Sequence, residues 1–262
     1  MKRLALLAVL LCSALSAAAD DAPPAGMDAY LNPGNSDHAD VSDTVYQMLS
    51  EAGRTVGFQG GKAERAWELT QALMARDTLL SQTYDFRPLI SRQGYLPPVI
   101  DLATDLAHIT PDQIRTAYRT YKILIPAHFV SNPPSWRTWL LTGLSTKRID
   151  SPDASVRPKN SDEEDVWQAA IKKGWAEGRT SADQILEANF NRLTRDYTGM
   201  LRYSELLQQG IIRAPDVSEQ QQAVTGDREQ LMIGDKVKRM TDPAGFVVDK
   251  GRWHPVVRKG RN

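Results

Sequence analysis

The stretch "ADQILEANFNRLTRDYTGMLRYSELLQQG" constrains the fold most, because Leu186, Phe190, Leu193, Tyr197, Met200, Ser204 and Leu207 recur at steps of four and three. That spacing gives an α-helix one apolar face along its whole length, and a core must form against it. Ser181 and Gln184 have capping-box spacing before it, and Gly210 is the predicted stop. Ser161 and Glu164 repeat the pattern and open a second helix, "DEEDVWQAAIKKGWAEG", predicted to end at Gly178. A third amphipathic helix is predicted over Lys62 to Gln82, where Ala66, Leu69, Leu73 and Leu80 share a face widened by Trp67 and Met74.

Between these helices the sequence changes character. In "TYDFRPLISRQGYLPPVIDLATDLAHI", Pro88, Gly94 and Pro97-Pro98 forbid a continuous helix and force extended or turning backbone. Thr110-Pro111 reads as a helix start leading into a strand over Lys122 to Ile125. "SWRTWLLTG" alternates as a mostly buried strand does over Trp136 to Leu141. Ser145 to Asp165 is read as a long surface loop. Near the end, a polar loop precedes "LMIGDKVKRMT" and "GFVVDKGRWHPVV", two strand-like runs parted by Asp242-Pro243 and expected to pair as a hairpin.

The expected fold is α+β: a mainly helical single domain with a small mixed or antiparallel sheet, spanning residues 53–257 before a short tail at 258–262. With 262 residues, 41% of them hydrophobic, the chain is long enough to build a real core. Its 32 basic and 32 acidic residues cancel, so the molecule as a whole has no field to gather nucleic acid. Direct nucleic-acid binding is not expected.

Met1 to Ala19 has the form of a secretory signal: Lys2 and Arg3, then an apolar run, then "SAAAD" with cleavage after Ala19. Residues 20–52, rich in Pro, Gly, Asn and Asp at their start, are expected to form an irregular arm. The single cysteine, Cys12, allows two readings. Either it leaves with the leader, or it is acylated and anchors the chain, although Leu11 precedes it where a lipoprotein signal has a small residue.

A search for chemistry returns no catalytic, cofactor or metal assignment. His38, His108, His128 and His254 are scattered and lack metal-ligand spacing. "GFQGGKAE" fails as a phosphate loop: Val56 occupies the position of the first glycine and Ala63 that of the hydroxyl residue. Gly57, Gly60 and Gly61 are read instead as a turn into the next helix. Asp101 and Asp105 are read as a solvated helix face, and there is no G-x-S-x-G elbow. The aromatic residues Tyr84, Phe86, Tyr95, Trp136 and Trp139 are the candidate partner contacts. Burial in one core is the competing reading.

The ordered series "YDFRPLISRQGYLPPVI", "YKILIPAHFVSNPPSWRTWLL", "GWAEGRTSADQILEANFNRLTRDYTGMLRYSELL" and "MIGDKVKRMTDPAGF" resembles the DotC proteins of type IVB secretion machines, called TraI in IncI-type conjugative plasmids. The resemblance runs from about Gly53 to Phe246. It implies a non-catalytic, outer-membrane-associated component that joins a DotD-like lipoprotein and a DotH-like protein in a multimeric outer-membrane core complex. Such a chain is exported to the periplasmic face of the outer membrane and held there by partners or by lipid. The reading from another class is an exported cell-wall-binding protein or hydrolase acting alone.

Overall fold

A computed structural model describes residues 26–31, 41–110, 112–147, 152–226, 229 and 231–253. The signal sequence with Cys12 and Ala19, His38, His254 and the tail lie outside these residues. The helices are α1 (Asp28–Leu31), α2 (Asp43–Met74), α3 (Asp77–Thr83), α4 (Trp136–Leu140) and α5 (Ser161–Gln208). The strands are β1 (Tyr95–Leu96), β2 (Val99–Thr110), β3 (Gln113–Ile125), β4 (His128–Phe129), β5 (Ile212–Arg213), β6 (Asp216–Gly226), β7 (Leu231–Asp242) and β8 (Gly245–Phe246). They form two-stranded antiparallel ladders, β1–β4, β2–β3, β5–β8 and β6–β7, so the chain is mainly helical α+β as expected. It divides into two compact units: one takes the chain up to Asp77 and Gly143–Ala188, the other Thr78–Thr142 and the chain from Asn189.

The first unit is built on α2 against the amino-terminal part of α5. α2 starts at Asp43, so residues 43–52, expected in the irregular arm, are helical. Gly57, Gly60 and Gly61 make no turn; they lie buried within α2. A Cβ on Gly57 or Gly61 would come under 3.0 Å from backbone atoms of Ile171 or Trp175, and one on Gly174 or Gly178 under 3.0 Å from those of Arg54 or Phe58. The two backbones therefore touch along a glycine seam, where Cα–H groups face carbonyl oxygens. Leu49, Trp167, Ile171 and Trp175 form a buried cluster here, with Met27, Leu31 and Val45 packed around it.

Gly178 does not end a helix, and Ser181 with Gln184 caps none: α5 runs unbroken through both positions. Its start is capped one residue earlier than predicted. The Asn160 side chain accepts from the Glu163 N–H at 2.8 Å, and Glu163 Oε2 accepts from the Lys159 N–H at 2.8 Å. The N-cap is therefore Asn160, with Glu163 reaching back to the residue before it, and the expected loop stops at residue 160.

Charged groups flank the seam. Arg179 bonds Glu64 at 2.7 Å and Glu68 at 2.9 Å, and Arg65 reaches Glu68 at 2.6 Å and Asp183 at 2.9 Å. The hydrogen bonds from Arg179, then those from Arg65, hold the Glu68 carboxyl below the usual carboxylate range. A depressed carboxylate stabilises the fold fully above its unfolded pKa, about 4.3, and loses that contribution as pH falls through the lower folded value. Urea midpoints should accordingly drop in acid, and Glu68→Gln should flatten that part of the pH profile.

The second unit contains both long hairpins and the carboxyl-terminal part of α5. "QIRTAYRTYKILI" is strand β3 throughout; Thr110 pairs with Gln113, so Thr110 belongs to a strand and starts no helix, while Pro111 lies outside the described residues. Asp101 and Asp105 lie on strand β2, and Asp101 pairs across with Lys122. Trp136 to Leu140 is a helical turn rather than a strand, placing Trp136 and Leu140 one turn apart and both buried. The polar run expected to be a loop is β6; it pairs with β7, while Gly245–Phe246 pairs with Ile212–Arg213, so the expected hairpin between the last two runs does not form.

Gly199 lets β2 approach α5, since a Cβ there would come under 3.0 Å from Val99 and the Ile100 backbone. Arg202 donates to the Ile100 carbonyl at 2.6 Å. Ile100, Tyr203, Leu206, Ile212 and Ala244 are buried together beside Tyr121, Ile123 and Phe246. Burial pushes the Tyr203 phenol upward, so it stays protonated. α5 closes with Gly210 in the left-handed region at φ 71°, the Gly210 N–H donating to Leu207 and the Ile211 N–H to Leu206. This is a Schellman cap, and the predicted stop holds.

Candidate partner interface

Three of the five aromatic residues singled out in the sequence meet in the second unit. Phe86 stacks on Trp139 with centroids 4.6 Å apart and planes 2° from parallel. Tyr197 meets Phe86 edge-on at 5.2 Å and Tyr84 at 5.4 Å. The Tyr84 hydroxyl lies 3.1 Å from Thr194 Oγ1. Beneath the stack, Trp139 Nε1 donates to Asp196 Oδ2 at 2.8 Å, and Arg195 donates to Asp196 Oδ1 at 2.7 Å. Burial, aided by the Asp85 charge, raises the Tyr197 phenol, while the hydrogen bonds from Arg87 hold Asp85 low.

This constellation holds the fold together and leaves little aromatic surface for a partner. Phe86, Tyr95 and Trp136 are buried and turned inward, whereas Tyr84 and Trp139 are half-buried and keep part of their surface. Trp136 is covered by its neighbours and by the Arg137 guanidinium 4.6 Å above its ring. Sequence reasoning missed Asp196, the buried acceptor that orients Trp139. Only a carboxylate beside the apolar face of a long helix signalled it.

Part of the apolar surface that reaches solvent lies on the two long hairpins, with more outside them at Tyr46, Leu79 and Val248. Ile114 and Tyr118 on β3 are 66% and 73% exposed, and Ile233 and Val237 on β7 are 79% and 49% exposed. Each hairpin is a sheet of only two strands, so its backbone has an unpaired edge on either side among the described residues. A two-stranded hairpin alone in water is marginal, and open edges are templates for a further strand. On β6–β7, Lys236 lies 2.6 Å and Lys238 3.8 Å from Glu219, whose carboxyl these lysines hold low.

Among the described residues, no group of three or more His, Cys, Asp or Glu is placed to hold a metal ion. Nor is any described helix long and apolar enough to cross a membrane. Asp101 is exposed on β2, and His128 is exposed with Nδ1 3.3 Å from the Pro126 carbonyl. A family model described as "Type IV secretory system, conjugal DNA-protein transfer" matches residues 43–255. The chain belongs to this family. The match covers α2 to α5 and strands β1 to β8, so both the glycine seam and the long hairpins fall within the family's extent. No curated protein matches the chain.

Proposed function

We propose that this type IV secretion family member is a non-catalytic structural subunit of a type IVB outer-membrane core complex, helping to assemble the channel and place it at the outer membrane. The observation that carries the reading is the pair of long hairpins with unpaired edges and exposed Ile114, Tyr118, Ile233 and Val237, on a chain of this family. Such surfaces suit strand addition and interface burial. DotD-like and DotH-like proteins are the proposed neighbours, at the periplasmic face of the outer membrane.

Native particles carrying a tagged copy, gently solubilised from envelopes, should be large and contain both neighbours. Recovery of a lone monomer while those neighbours assemble elsewhere would overturn the reading and favour a cell-wall-binding protein acting alone. The leader makes a separate prediction: with Cys12 removed by cleavage after Ala19, Cys12→Ser leaves export, mature size and membrane association unchanged. Release of that variant from membranes would show that a lipid on Cys12 is the anchor.

A further inference from the structure

The hairpin strands differ in how their open edges are guarded. β3 carries Arg115, Arg119 and Lys122, β2 carries Asp101 and Asp105, and β7 carries Lys236, Lys238 and Arg239 in its middle, with Asp235 and Asp242 beside them. The like charges on β2, on β3 and over Lys236 to Arg239 of β7 repel another copy of the same strand. β6 is different. Over Val217 to Gln221 it holds one charged residue, Glu219, already paired with Lys236 and Lys238. Ser218, Glu219, Gln220 and Gln221 are exposed, the strand has no proline, and its one irregularity lies at Asp216/Val217. Among the described residues β6 pairs only with β7, so its other edge is open.

We infer that the open edge of β6 pairs antiparallel with β6 of a second copy of this chain, about a two-fold axis at Gln220, joining two hairpins into one four-stranded sheet. In this register Gln220 faces its own counterpart, and Glu219 faces Gln221 of the partner subunit in both directions. An amide both donates and accepts, so glutamine is self-complementary, and each Glu219 carboxylate gains a donor while facing no acid. A two-fold centred on Val237 of β7 instead sets Lys236 against Lys238 twice. The symmetry keeps like faces on one side of the sheet, so Val237, which pairs with Gln220, shares a face with its counterpart. Four strands supply the neighbours that a lone hairpin lacks.

The contact needs no envelope neighbour, so it stands or falls separately from the proposed function. The test is the sedimentation of the purified exported chain across a concentration series. Gln221→Glu sets a second carboxylate against Glu219 of the partner subunit and should weaken dimerisation roughly tenfold. Gln221→Lys sets an ammonium there and should preserve or tighten it; because Gln221 also stands opposite Lys236 in its own hairpin, circular dichroism of each variant checks that the hairpin itself is kept. In a Cys12→Ser background, Gln220→Cys should yield a disulfide-linked dimer, because directly opposed antiparallel residues have Cα atoms about 4.5–5.5 Å apart. A chain that stays monomeric at every concentration, or equal behaviour of the Glu and Lys variants, would overturn the inference.

Discussion

Gly178→Val should destabilise the protein by about 3 kcal/mol or more, and Gly178→Ala should also destabilise it, although alanine is the better helix former by about 1 kcal/mol. On an open helical face the propensity gain would decide the sign. Here a Cβ would come under 3.0 Å from the Phe58 carbonyl oxygen and the Lys62 nitrogen. Those are backbone atoms of the facing helix, and they move only if α2 and α5 separate, with loss of packing around Ile171 and Trp175. Gly61→Ala should behave alike. Gly53→Ala is the graded control, since its nearest facing atom is the Ala170 Cβ at 3.0 Å. Urea titration followed by the fluorescence of Trp167 and Trp175 measures each loss. A stability gain in Gly178→Ala would mean that the backbones do not meet.

These glycines also show where sequence reading falls short. Gly57, Gly60 and Gly61 in α2 and Gly174 and Gly178 in α5 have the same local signature as turn and stop glycines. Only pairing across more than a hundred residues of chain reveals that each set exists to admit the other. Gly210 was readable because its cap is local: a positive φ and two hydrogen bonds within the last turn. The same distinction explains the strands. "SWRTWLL" places Trp136 and Leu140 both one turn apart and at alternating positions, so periodicity alone does not separate helix from strand in so short a run. In "QIRTAYRTYKILI" the β-branched and aromatic residues at alternate positions were the available signal for β3, masked by the apparent helix start at Thr110-Pro111. Mainly helical α+β class and family resemblance survive such errors because they rest on composition and long-range order. The aromatic residues were legible as a group, whereas the orientation of Trp139 depends on Asp196, whose partners come from α4 and from Arg195 beside it.

That buried carboxylate sets the second large effect. Trp139→Ala should cost about 3 kcal/mol, the low end for truncating an aromatic because the ring is half-buried, since it removes the ring stacked on Phe86. Trp139→Phe separates the contributions: a phenyl ring can still stack, but Asp196 Oδ2 loses its 2.8 Å donor and keeps only Arg195 on the other oxygen. Leaving a buried acceptor unsatisfied costs about 1–3 kcal/mol. Asp196→Leu alone strands the indole N–H and frees Arg195, whereas the pair Trp139→Phe with Asp196→Leu removes donor and acceptor together. The double variant should therefore lose less than the sum of the single losses, by about 1 kcal/mol or more. Thermal or urea unfolding of the four proteins closes the cycle. Strict additivity would show that Trp139 is held by stacking alone, and that Asp196 is retained for its bond to Arg195.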